Sequence, residues 1–156
     1  MVDFKELCKF LVKAKTSTYA SGEDTLKTIE PDNSTSLYFE ENDWKYHDNY
    51  FGGEPFGGRE IVFYKNKPVY MMVYYGHVEE SIDFKKVYTV LQGALRQTPE
   101  AKPYRGPEKY VEAELEYNNS SEGEVNNFSG KEIIKSSTGE IVYTAKYIGG
   151  LINQNR

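Results

Sequence analysis

The chain has 156 residues, of which 38% are hydrophobic, 28% charged and 15% aromatic, and carries a formal net charge of -5. That length can bury one core without a disulfide or metal staple, and the acidic balance argues against direct nucleic-acid binding, which draws its affinity from a basic face. The lone cysteine, Cys8, gives no disulfide framework, no stretch approaches the ~18 apolar residues of a membrane span, and Asp3 and Glu6 interrupt any signal-peptide pattern.

The expectation is therefore a cytoplasmic protein with one domain over residues 1–156, in which the sequons Asn33-Ser34-Thr35 and Asn127-Phe128-Ser129 have no meaning. Residues 3–14 read as an amphipathic helix: Asp3 and Glu6 have capping-box spacing, Phe4, Leu7, Cys8, Leu11 and Ala14 recur on one face, and Lys5, Lys9 and Lys13 form a solvated stripe opposite. Residues 15–36 are rich in Ser, Thr, Asp and Gly, with 25–29 as the one short strand candidate.

From Leu37 the period becomes two, and strands at 37–41, 44–51, 59–65 and 69–75 form a meander. Asn42-Asp43, the glycine-rich run 52–58 and Asn66-Lys67 before Pro68 supply its turns, because these residue types tolerate positive φ or preset a turn. Trp44, Tyr46, Asp48 and Tyr50 share one face of the second strand. The fourth strand is apolar or aromatic on both faces, which predicts a central strand covered on both sides.

A second helix is expected over 83–97, with Asp83 as N-cap, Phe84, Val87, Tyr88, Leu91, Ala94 and Leu95 as its buried stripe, and Pro99 as the stop. After a stiff connector holding Pro99, Pro103, Gly106 and Pro107, one half-exposed strand spans 109–117 with Val111, Ala113, Leu115 and Tyr117 on the same face. Residues 118–130 read as a polar loop or frayed strand, and 131–136 with 140–148 as a hairpin through Thr138-Gly139. The sum is an α+β fold, a twisted antiparallel sheet of six to eight strands with two helices on one face.

Four glycines bracket an aromatic in Gly52-Gly53-Glu54-Pro55-Phe56-Gly57-Gly58. As a phosphate cradle the run is poor, since a strand follows it and Glu54 and Glu60 would repel an anion, so it is either a wide hairpin loop or a ligand-binding loop. His47 and His77 lie too far apart in sequence to suggest a metal site, and no serine sits in a nucleophile elbow. Asp48 among Trp44, Tyr46 and Tyr50 is open to partial desolvation and a raised pKa, which suits a general acid or base, or it simply accepts a tyrosine hydrogen bond. Arg105, held in Tyr104-Arg105-Gly106-Pro107, can clamp the carboxylate of a ligand or of the protein itself.

Tyr50-Phe51-Gly52-Gly53, Phe56-Gly57-Gly58-Arg59-Glu60, Pro68-Val69-Tyr70 with Met72, Tyr74-Tyr75-Gly76 and Tyr104-Arg105-Gly106-Pro107 together resemble a bacterial family of uncharacterised domains. Members of that family occur alone or behind an XRE-type helix-turn-helix, so the resemblance implies a link to transcriptional regulators but no activity and no cofactor. The residues ahead of the first strand contain one good helix, too little for the DNA-binding part of the fused members.

The preferred reading is a small binding or sensor-like module with no cofactor, favoured over an enzyme. Its helices would cover one face of the sheet, and an aromatic-lined surface on the other would take a small molecule or peptide. Candidate ligand contacts are Trp44, Tyr46, Asp48 and Tyr50 on the second strand, Phe56 and Glu60 on the third, Tyr74 on the fourth, and Arg105. The rivals are an interaction protein, which would dimerise through a sheet edge or serve as partner subunit of a regulator, and a small hydrolase or isomerase using Asp48 or Glu60 with a tyrosine or Arg105.

Overall fold

The computed structural model describes residues 2–153, so the first and last three residues of the expected domain lie outside the described residues. Helix α1 spans Phe4–Ser17 and starts where Asp3 accepts hydrogen bonds from the amides of Lys5 and Glu6 at 2.8 and 3.0 Å, satisfying two of the donors a helix start leaves free. Its inward face is Leu7, Phe10, Leu11, Ala14 and Lys15. A short 3-10 segment, Tyr19–Asp24, follows the helix.

Strands β1 (Thr28–Ile29), β2 (Thr35–Glu41), β3 (Trp44–Phe51), β4 (Phe56–Tyr64) and β5 (Lys67–Val78) form the antiparallel meander. Asn42 turns β2 into β3 at positive φ, and Lys65 with Asn66, both at positive φ, turn β4 into β5. Helix α2 (Phe84–Leu95), capped by Asp83, crosses to a second meander of β6 (Lys109–Glu112), β7 (Leu115–Glu124), β8 (Asn127–Lys135) and β9 (Ile141–Leu151). Pairing of β5 with β9 fuses the two into one nine-stranded sheet of order β1-β2-β3-β4-β5-β9-β8-β7-β6. The α+β class and the single-sided helices hold, with slightly more strands than expected.

Strand alternation fixes a single inner face. It carries Trp44, Tyr46 and Asp48 of β3, Glu60 and Val62 of β4, and Tyr70, Met72 and Tyr74 of β5, then Tyr143, Ala145 and Tyr147 of β9 with Glu132 and Ile134 of β8. Helix α1 packs over the β2–β3 end and α2 over the β6–β7 end, each closing its own apolar cluster, and Phe56 touches both clusters. Among the described residues no helix is long and apolar enough to cross a membrane.

Several expectations change. The strand at 109–117 is two, because Ala113 and Glu114 both adopt positive φ and form a hairpin turn; parity reverses there, so Val111 is exposed while Leu115 and Tyr117 are buried. The segment 118–130 is strand on both sides of a turn, since its polar side chains lie near the outer end of a sheet where polarity costs little. β5 is central but covered on one side: Val73 and Tyr75 remain exposed, as does Ile148 opposite Val73. Of the glycine-rich run only residues 52–55 form the loop, while Phe56, Gly57 and Gly58 pair with β5. Phe4 and Phe84 sit at the outer ends of their helices and are 46% exposed each, and β1 keeps only two of the five residues expected.

Candidate functional site

The inner face is not sealed where the two helices part. Between α1, α2 and strands β3–β5 lies a cavity of about 390 Å³, within the size range of small-molecule sites. Tyr46, Asp48, Tyr50, Glu60 and Tyr74 rise from the sheet, Phe56 stands beside the loop 52–55, and Arg105 enters from the connector after α2. Trp44 alone of the expected contacts lies elsewhere: it stacks on Phe10, 5.4 Å between ring centres, and against Tyr64, as part of the core under α1. The aromatic surface is also not on the open face, as expected from the sequence, but on the helix side. Two short helices at opposite ends of a wide sheet cannot cover its middle, which leaves an enclosed space rather than an exposed plane.

Register places Asp48 directly opposite Glu60 across β3 and β4. Both are buried, Asp48 at 4% exposure. Lys15 reaches down from α1 to Glu60 Oε2 at 2.6 Å and also donates to the Tyr104 carbonyl at 2.6 Å. Asp48 has no such cation; its hydrogen bond comes from the Tyr74 hydroxyl, 2.6 Å to Oδ1. Gly58 makes that bond possible, since a Cβ there would stand 2.7 Å from the Tyr74 oxygen and 2.6 Å from Tyr50 Cβ. Burial first, and then the Glu60 charge, push Asp48 up to about 7, with Tyr74, Lys15 and Arg105 opposing. Burial likewise pushes the Lys15 ammonium down, which Glu60 counters.

Arg105 is committed to the protein's own carboxylate. Its Nε and one terminal nitrogen donate to Glu132 Oε1 at 3.0 and 2.5 Å, and Glu132, fully buried, also accepts from Tyr117 and Tyr143 at 2.7 and 2.8 Å. The guanidinium lies 5.5 Å from the centre of the Tyr74 ring, a cation–π distance, so this rigid network backs the cavity wall that holds Asp48.

The mouth is marked by exposed lining residues: Lys27, Phe84 and the loop Gly52, Gly53 and Glu54. Glu54 ties this loop to the body, accepting from the Val78 amide at 2.5 Å and from the Tyr88 hydroxyl, which also donates to the Gly53 carbonyl at 2.9 Å. Among the described residues no three His, Cys, Asp or Glu side chains gather to hold a metal ion.

Sequence reasoning missed Lys15, Tyr88 and Glu132 as parts of this assembly. Lys15 follows Leu7 and Leu11 at four-residue intervals, so the helical stripe itself carried the signal. Glu132 shares strand parity with buried Ile134 and Phe128; parity with Ile134 falls within the expected strand 131–136, while parity with Phe128 appears only once β8 begins at Asn127.

No curated protein and no solved structure matches the chain. The matched family segment begins at Asp48 itself and takes in Glu60, Tyr74, Arg105 and Glu132 while leaving Lys15 outside. Over residues 48–152, two thirds of its length, the chain belongs to the family described as a domain of unknown function, DUF5680.

Proposed function

We propose that the protein is a small binding or sensor-like module of the cytoplasm that takes a small molecule into the cavity between α1, α2 and strands β3–β5. The observation that carries this reading is the convergence of Tyr46, Tyr50, Phe56 and Tyr74 with Asp48 and Glu60 on one space of about 390 Å³. A structure optimised only for stability fills such a space with aliphatic side chains, and a void of this size costs packing energy. A thermal-shift screen against metabolites tests the reading, because a ligand that binds only the folded state raises Tm. Hits abolished by Tyr50→Ala support it; hits indifferent to Tyr50→Ala and Phe56→Ala, or no hits at all, count against it.

A second reading, an acid–base enzyme, is favoured by one observation: Asp48 and Glu60 face each other, yet Asp48 is pushed up to about 7 while Glu60 is held by Lys15. A buried carboxyl raised in this way, beside a second carboxylate engaged by a lysine, suits a general acid or base. Turnover that Asp48→Asn abolishes while ligand binding survives would support this reading; full turnover in that variant would exclude it.

A further inference from the structure

Resting on the binding reading above, we infer that the cavity's ligand is a small organic cation, an amine or quaternary ammonium, whose charged head sits against Asp48 and the tyrosine rings around it. The described residues hold five buried charged side chains, Lys15, Asp48, Glu60, Arg105 and Glu132. Each cation already has its carboxylate: Lys15 bonds Glu60 at 2.6 Å and Arg105 bonds Glu132 at 2.5 Å. Asp48 is the carboxylate left over. It forms no ion pair among the described residues and takes one hydrogen bond, from Tyr74, while bordering the open space. A buried carboxylate without a cation is costly unless it takes up a proton or a positive ligand.

The walls are suited to the second outcome. Tyr46, Tyr50 and Tyr74 flank Asp48 on the sheet, with Phe56 and Tyr88 toward the mouth, and aromatic faces attract ammonium groups most strongly when water is excluded. Glu54 adds a carboxylate at the mouth, where Lys27 is the single exposed cation among the lining residues. An anionic ligand would instead meet Asp48, Glu60 and Glu54 and would have to take Lys15 or Arg105 from partners already in place.

Proton and ligand then compete for the same carboxylate. With Asp48 titrating at about 7, cation affinity rises roughly tenfold per pH unit below that point and levels off above it. The groups facing Asp48 are Glu60 on β4, Tyr74 on β5, Lys15 on α1 and Arg105 in the connector, with Tyr46 on its own strand and Tyr19 of the 3-10 segment also within its field. Burial lowers the Lys15 ammonium and Glu60 counters it, while for Arg105 the Glu132 carboxylate outweighs burial and holds the guanidinium charged.

The test uses the full chain and two isosteric pairs, choline with 3,3-dimethylbutanol and benzylamine with benzyl alcohol, titrated calorimetrically from about pH 5 to about pH 9. The expected result is that the cations bind, their neutral isosteres do not, affinity climbs with pH as above, and Asp48→Asn costs more than about tenfold. Tyr50→Leu, which keeps the charge and removes a ring, should weaken the cations selectively. Neutral isosteres binding as well as cations, or an Asp48→Asn variant that binds cations unchanged, overturns the assignment and leaves the cavity reading standing. So does silence from all four probes when an uncharged compound from the metabolite screen binds. If nothing in either set binds, both fall.

Discussion

Replacing Asp48 with Asn removes a titrating group but keeps the oxygen that accepts from Tyr74, so it isolates the energetic consequence of burying this carboxyl. Its ordinary value of 3.8 is raised to about 7 in the fold, by burial and then by Glu60. Between those values the folded chain binds a proton that the unfolded chain does not, so the stability due to Asp48 is full below the lower value and is lost as pH rises through the upper one. The lift corresponds to on the order of 4 kcal/mol. Asp48→Asn should therefore match the parent protein near pH 4 and exceed it by an amount of that order above about pH 8. Urea denaturation at closely spaced pH values measures the difference directly, and Tm should follow the same pattern. A difference that stays constant with pH, or a variant less stable than the parent at high pH, would refute the placement of Asp48 as an uncompensated buried carboxyl.

Arg105→Leu should destabilise the fold by roughly 3–5 kcal/mol in chemical denaturation, since it leaves Glu132 buried without its cation. Gly58→Ala must push against the Asn49 carbonyl at 2.5 Å and against Tyr50 and Tyr74; a loss of roughly 1–3 kcal/mol is expected, with a weakened ligand response in thermal shift. Tyr74→Phe removes the hydrogen bond that opposes the upward shift of Asp48, so the carboxyl carbon followed by NMR should titrate at a higher pH than in the parent. Asp3→Ala should cost about 1 kcal/mol through loss of the α1 cap and leave the cavity's properties unchanged.

Where local rules governed, the sequence was readable. Period-two alternation from Leu37 located the first meander because β2 to β5 pair antiparallel in chain order through short connections, with one register shift at Val62/Phe63. It failed at Ala113-Glu114, residues with no turn signature that nonetheless take positive φ, and alternation simply ran through the hairpin. It failed again at 118–130, where polarity reflects exposure rather than absence of a strand. The candidate contacts were legible because an aspartate among aromatics on one strand face is unusual, and all of them except Trp44 border the cavity. Which side of the sheet they occupy was not legible, because parity says that residues share a face and nothing about which face the helices choose. Lys15 and Glu132 illustrate the complementary limit: a charge on an apolar stripe reads as noise until its partner, 45 or 27 residues away, is seen beside it.

The central claim is that ligand enters the cavity between the helices, and chemical-shift mapping on the labelled protein with a hit from the metabolite screen tests it most directly. Perturbations should cluster on the loop 52–55, on Tyr46, Asp48 and Tyr74, and on Tyr104 and Arg105, with the outer-face residues Val73, Tyr75 and Ile148 unmoved. Shifts confined to that outer face, with the cavity residues silent, would contradict the account.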